Sequence, residues 1–168
     1  MSLDHLWAGW RMPYIESAGS GPPSHEADGC VLCRLAAATD DREAMVLART
    51  RHMFVVMNAY PYTSGHIMVA PLEHVADFDV ISRQAAGELT DLLQDAVRAV
   101  RAAYRPAGFN VGANLGAAAG AGVPGHLHFH VLPRWGGDTN FMTSIADARV
   151  LPEAIGASYE KLRAAWPS

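Results

Sequence analysis

This chain carries no excess of positive charge. Its 13 Lys and Arg stand against 17 Asp and Glu, the formal net charge is -4, and no basic stripe gathers the cations. A protein that neutralises a phosphate backbone needs such a stripe, so no nucleic-acid polymer is expected as a partner, and a small anionic ligand has to be met by specific groups. The sequence also lacks the run of about 18 apolar residues that spans a bilayer. Its start, Met1-Ser-Leu-Asp-His-Leu-Trp, has neither the basic segment nor the apolar stretch of an export signal. No membrane contact is expected, and the cytoplasm is the expected location. What is present is hydrophobic: half of the 168 residues are apolar and 18% charged, enough for one compact domain with a sizeable core and too much for overall disorder.

Cysteine is nearly absent too, with Cys30 and Cys33 alone in Gly29-Cys-Val-Leu-Cys-Arg. In a cytosolic chain an isolated Cys-x-x-Cys reads as a redox pair or as half of a zinc site. The redox reading expects the pair where a strand opens a helix in a βαβ unit, a context this sequence does not supply. Two thiolates fill only half of a tetrahedral site, and the histidines are the available donors for the rest. Unpaired structural thiols are the alternative.

The most patterned stretch is Gly125-His-Leu-His-Phe-His-Val-Leu-Pro133. In an extended strand successive side chains point to opposite faces, so His126, His128 and His130 would share one face and Leu127, Phe129 and Val131 the other. Neighbouring histidines would stand roughly 6.5 to 7 Å apart, close enough to serve one bound substrate in different roles.

In chain order, residues 1–28 read as an arm and linker and residues 29–168 as a single domain. The arm carries Trp7, Trp10, Tyr14 and Ile15, too apolar for a free tail, and the Gly/Ser/Pro-rich stretch 16–28 follows, with His25 read as solvated. Strands are predicted over 45–48 and 52–58, joined by the tight link Arg49-Thr50-Arg51, and over 66–71, 109–116 and 126–132. Ser82 is placed to cap a long helix, 83–104, whose apolar positions Leu89, Leu92, Leu93, Ala96, Val97, Val100 and Tyr104 recur at three and four, with Pro106 and Gly108 stopping it. Residues 151–166 predict a C-terminal helix. The class is α+β, with a mainly antiparallel sheet of about five strands, one long central helix and a C-terminal one.

His126-Leu-His128-Phe-His130-Val-Leu132 resembles the His-φ-His-φ-His-φ-φ signature (φ apolar) of the histidine triad family of nucleotide hydrolases and transferases. Gly65-His66-Ile-Met-Val-Ala-Pro71-Leu-Glu-His74, Asn110-Val-Gly-Ala-Asn114-Leu-Gly116 and Pro133-Arg-Trp135 resemble it as well. Leu6-Trp-Ala-Gly-Trp-Arg-Met-Pro-Tyr-Ile and Pro133-Arg-Trp-Gly-Gly-Asp-Thr-Asn-Phe141 look most like the branch that includes diadenosine tetraphosphate phosphorylases.

The resemblance implies a HIT-like fold. It implies that His128 attacks an α-phosphorus and forms a nucleotidyl-imidazole intermediate, while His130 donates a hydrogen bond to a phosphoryl oxygen. It puts Asn58 at the ribose, His66 near the site and Asn114 at the phosphates, with capping of a loop as the other reading of either asparagine. The substrate it implies is a dinucleoside polyphosphate or a nucleoside monophosphate derivative, and the acceptor implied by the phosphorylase branch is phosphate rather than water. Many members carry Ser or Thr three residues before the first triad histidine; here that residue is Val123, and the loop from Asn114 is about one residue longer than in the nucleoside-phosphoramidase branch. The phosphate is therefore expected to rely on backbone N–H groups of the Ala117–Gly122 loop, with Gly116, Gly120 and Gly122 allowing close approach. Zinc-bearing members imply one structural zinc on Cys30, Cys33, His74 and His126. A homodimer formed through sheet edges is expected. The rival readings are a catalytic zinc on the three triad histidines and a nucleotide-binding module without turnover.

Overall fold

The computed structural model describes residues 29–138 and 153–167. The arm with Trp7, Trp10, Tyr14, Ile15 and His25, and Thr139-Asn140-Phe141, lie outside the described residues. Five strands, β1 (Val46–Arg49), β2 (Met53–Met57), β3 (Ile67–Pro71), β4 (Gly108–Gly112) and β5 (Phe129–Arg134), form one antiparallel sheet in the order β1-β2-β3-β5-β4. Among the described residues three α-helices accompany it: α1 (Val31–Ala36), α2 (Arg83–Tyr104) and α3 (Ile155–Ala165). This is the expected α+β architecture. No helix among the described residues is long and apolar enough to cross a membrane.

Alternation along β2 divides the core. Met53, Val55 and Met57 face the cluster formed with Leu89, Leu92, Ala96 and Val100 of α2 and Leu162 of α3. Phe54 and Val56 face the opposite cluster, with Cys30, Leu32, Val46 and Ala70. Every residue of β2 is buried because both faces of the sheet are covered there. Helix α2 begins and ends as its sequence predicts. The Ser82 hydroxyl accepts from the Ala85 N–H at 3.0 Å, and Arg105 turns left-handed with φ 47° just before Pro106. Helix α3 starts at Ile155 rather than at residue 151, with Glu153 and Ala154 outside the helix.

Two expectations need correction, and one helix lies outside them. Strand β4 ends at Gly112, and the chain from Asn114 to Gly120 forms a loop containing the short 3-10 turn Ala117–Ala119. Strand β5 begins at Phe129, so His126 and His128 precede it instead of lying in it. The β3–β5 register pairs Val69 with Phe129 and, continued, would set Pro71 opposite Leu127. Proline has no N–H to extend the ladder, and the Leu127 N–H donates instead to the Val75 carbonyl at 2.7 Å. Helix α1 went unpredicted. It has six residues, too few for periodicity to register and too few to persist without tertiary support. Burying Leu32, 1% exposed, against the sheet supplies roughly 2 kcal/mol of that support.

Candidate active site and metal centre

Helix α1 brings the cysteines together. Cys30 is its N-cap and Cys33 lies in its first turn, so both thiols face the segment that carries His126. Cys30 Sγ is 3.3 Å and Cys33 Sγ 3.5 Å from His126 Nδ1, and Cys33 Sγ is 3.1 Å from His74 Nδ1. The donor atoms of Cys30, Cys33, His74 and His126 all lie within 4.8 Å of one another. The tautomer of His126 follows from its other nitrogen: Nε2 is 2.9 Å from the Pro71 carbonyl, which can only accept. In the neutral ring Nε2 therefore carries the proton, and Nδ1 offers its lone pair toward the thiols. Burial keeps this ring neutral by holding its pKa below the ordinary histidine value. Burial and the neighbouring Cys30 push the Cys33 thiol up to about 11. A cation would reverse that preference, and two thiolates with two neutral imidazoles suit a tetrahedral ion. All four expected residues converge, and among the described residues this is the one such group.

His128 is arranged in the opposite sense. Its Nδ1 is 2.7 Å from the His126 carbonyl, so Nδ1 carries the proton and Nε2 keeps its lone pair. Burial to 5% exposure holds its pKa below the usual value, which keeps the ring uncharged and nucleophilic near neutrality. The direction of His126 counts against a catalytic metal on the three triad histidines, because its lone-pair nitrogen, Nδ1, faces the cysteines.

His130, on β5, stands with its ring centroid 5.0 Å from that of His128. Its proton position follows from a chain of donors. The Tyr62 N–H donates to His66 Nδ1 at 3.1 Å, so His66 carries its proton on Nε2. That nitrogen donates to His130 Nδ1 at 2.9 Å, which leaves the His130 proton on Nε2. Asn58 braces the same ring: its Oδ1 accepts from the Tyr60 N–H at 2.9 Å, which turns Nδ2 toward His66 at 3.2 Å. Gly65 makes room. Its φ is +79°, and a Cβ there would come within 2.8 Å of the Tyr104 ring.

His128 and His130 line a cleft of about 170 Å³, bordered on one wall by Val31, Leu32 and Leu35 of α1 and on the other by Met57, Asn58, Tyr60 and Tyr62; His66 lies behind His130 and does not line it. Gly122 and Val123 also line it; Asn114, Gly116 and Gly120 do not. Asn114 Nδ2 instead donates to the Gly120 carbonyl at 3.1 Å, the loop-capping arrangement. The N–H groups of Ala119, Gly120 and Ala121 are engaged by carbonyls of the same loop. The α1 wall, Tyr62 and the carbonyls of Pro71 and His126 were not anticipated from the sequence. The two tyrosines flanking Pro61 are a readable signal for an aromatic rim, whereas backbone acceptors leave none.

The fold and these two histidine clusters define a histidine triad protein, and the comparisons agree. The HIT domain family matches residues 40–137. The chain belongs to that family and is one of its enzymes. It is 37% identical over 165 residues to an AP-4-A phosphorylase of Mycobacterium tuberculosis, covering 98% of this chain and 85% of the relative. It is 26% identical to an adenosine 5'-monophosphoramidase of Schizosaccharomyces pombe, over 79% of this chain and 95% of the relative. Among solved structures it is similar to a zinc-bound histidine triad family protein from Mycobacterium smegmatis, with a TM-score of 0.66, 27% identity, and 83% and 94% of the two chains covered.

Proposed function

We propose that this chain cleaves a dinucleoside polyphosphate such as diadenosine tetraphosphate at an α-phosphorus, through a nucleotidyl group on His128, with inorganic phosphate as acceptor. The observation that carries the mechanism is the hydrogen bond from His128 Nδ1 to the His126 carbonyl, because it leaves Nε2 as the attacking atom. Nε2 bonds to the α-phosphorus as the bond to the bridging oxygen breaks, and the remaining nucleoside polyphosphate departs as an anion. His130, its proton held on Nε2 by the Tyr62–His66 chain, donates a hydrogen bond where negative charge grows. The nucleobase is seated on the apolar wall of Val31, Leu32 and Leu35, with Asn58 at the ribose. Phosphate then attacks the phosphorus and frees His128.

The four-residue metal group holds one structural zinc in this reading. Its donors come entirely from protein side chains, and a closed Cys2His2 set holds elements together without activating water. The working form is a homodimer paired through the β4 edge, where Asn110, Val111 and Gly112 are exposed. Light scattering that returns the mass of one 18.0 kDa chain at micromolar concentration would remove that part.

The acceptor is the point on which likeness to the phosphorylase and likeness to the monophosphoramidase diverge. Product analysis with diadenosine tetraphosphate decides it. With phosphate as acceptor the products are ADP and ATP; with water they are AMP and ATP. AMP without ADP in saturating phosphate would overturn the phosphorylase reading and leave the role of His128 intact.

A further inference from the structure

The wall that α1 gives the cleft cannot hold its own position. A helix of six residues does not persist alone, and its last carbonyls have no partner within it. Its first turn is tied through Cys30 and Cys33 to the metal group. Its other end is tied by a side chain from β1. Arg49 Nη1 donates to the Ala36 carbonyl at 2.6 Å, Nη2 to the carbonyls of Leu35 and Ala38 at 3.0 and 3.2 Å, and Nε to Asp41 Oδ1 at 2.7 Å. The guanidinium lies 5.8 Å from the centroid of the buried Phe54 ring, and the side chain is 24% exposed. Three of the four bonds go to backbone oxygens at the end of α1, so the group holds the helix terminus itself and only secondarily a partner charge. Leu35, whose carbonyl it holds, lines the cleft with its side chain, while Arg49 does not.

We propose that Arg49 is a positioning residue for nucleotide binding, fixing α1 so that Val31, Leu32 and Leu35 present the wall on which the nucleobase rests. This rests on the nucleotide reading given above. A lysine cannot replace it, because one ammonium is a point and cannot reach three carbonyls and a carboxylate at once.

The test uses AMP, which needs the wall but no chemistry. Its dissociation constant is measured by calorimetry on the zinc-loaded full chain for the wild type, Arg49→Gln, Arg49→Lys and Asp41→Asn. Amide exchange over residues 31–38 is followed in the same samples. Arg49→Gln is expected to raise the AMP constant about tenfold, equivalent to about 1.4 kcal/mol, and to speed exchange in 31–38 while residues 53–57 stay protected. Arg49→Lys keeps the aliphatic stem and the charge, so it folds and moves both readouts in the same direction by less. Asp41→Asn leaves the three carbonyl bonds in place, and its AMP affinity stays at the wild-type value. A folded Arg49→Gln or Arg49→Lys protein that binds AMP as tightly as the wild type would overturn the proposal, as would faster exchange spread evenly over the sheet. A wild-type chain that binds no AMP would remove the nucleotide reading and this proposal with it.

Discussion

His126 and His128 stand two residues apart, are 1% and 5% exposed, and hold their ring protons on opposite nitrogens. One carbonyl makes each difference. The Pro71 carbonyl accepts from the Nε2–H of His126 and turns Nδ1 to the thiols, whereas the His126 carbonyl accepts from the Nδ1–H of His128 and leaves the lone pair on Nε2. The two regions share a residue type, a segment and a buried setting. In the proposed function, what separates the metal ligand from the nucleophile is the choice of nitrogen, set by backbone oxygens. The segment can place those oxygens because it leaves the ladder at Pro71.

The comparison is sharpest where a mutation touches one half alone. His128→Ala is expected to lower turnover by about a thousandfold or more while nucleotide still binds, since removing a covalent nucleophile costs chemistry far more than ground-state contacts; steady-state kinetics beside calorimetric binding would show it. Removing the thiols should act on both halves at once. In a Cys30→Ser, Cys33→Ser double mutant zinc content, melting temperature and activity are expected to fall together, because a structural ion contributes folding free energy. A zinc-free double mutant that keeps the wild-type melting temperature would contradict that coupling.

The smallest expected effect reaches the catalytic half indirectly, through Glu153. Burial by itself would raise this carboxyl, but hydrogen bonds from Lys161, Tyr104 and Ser158 outweigh it and hold the group below the usual carboxylate value. A depressed folded value means the contribution is present at neutral pH and is lost as pH falls through that value. Glu153→Gln should therefore destabilise the protein by about 1 kcal/mol near pH 7, and the difference should shrink as pH falls below the ordinary carboxylate range and through the lowered folded value. Because Tyr104 packs on Gly65, just before His66, the mutant is expected to lose some turnover and none of its zinc. Denaturant melts across pH read the first part and metal analysis the second.

The regular elements were legible because their signals are local. The three-and-four spacing of Leu89, Leu92, Ala96 and Val100, with Ser82 and Pro106 at the ends, is enough to draw α2, and β1 to β3 follow from apolar runs broken by short polar links. The convergence of Cys30, Cys33, His74 and His126 was readable only through family resemblance, since nothing in their spacing says that α1 will fold them into one group that could hold a metal. The start of β5 was misread because alternation fits a strand and a buried loop equally well, while the deciding fact, the missing N–H of Pro71, lies on another strand. Asn114 matched the family motif, yet its amide holds the Gly120 carbonyl, which residue identity alone does not reveal.

The division of labour between the two histidines is tested most directly by trapping the intermediate. Wild-type protein mixed with diadenosine tetraphosphate and quenched in base on the millisecond scale, then digested and sequenced by mass spectrometry, should carry an adenylyl group on His128 alone, and the adduct should vanish when phosphate is present and ADP appears. An adduct on His126 or His130, or full turnover with no adduct at any quench time, would contradict the account.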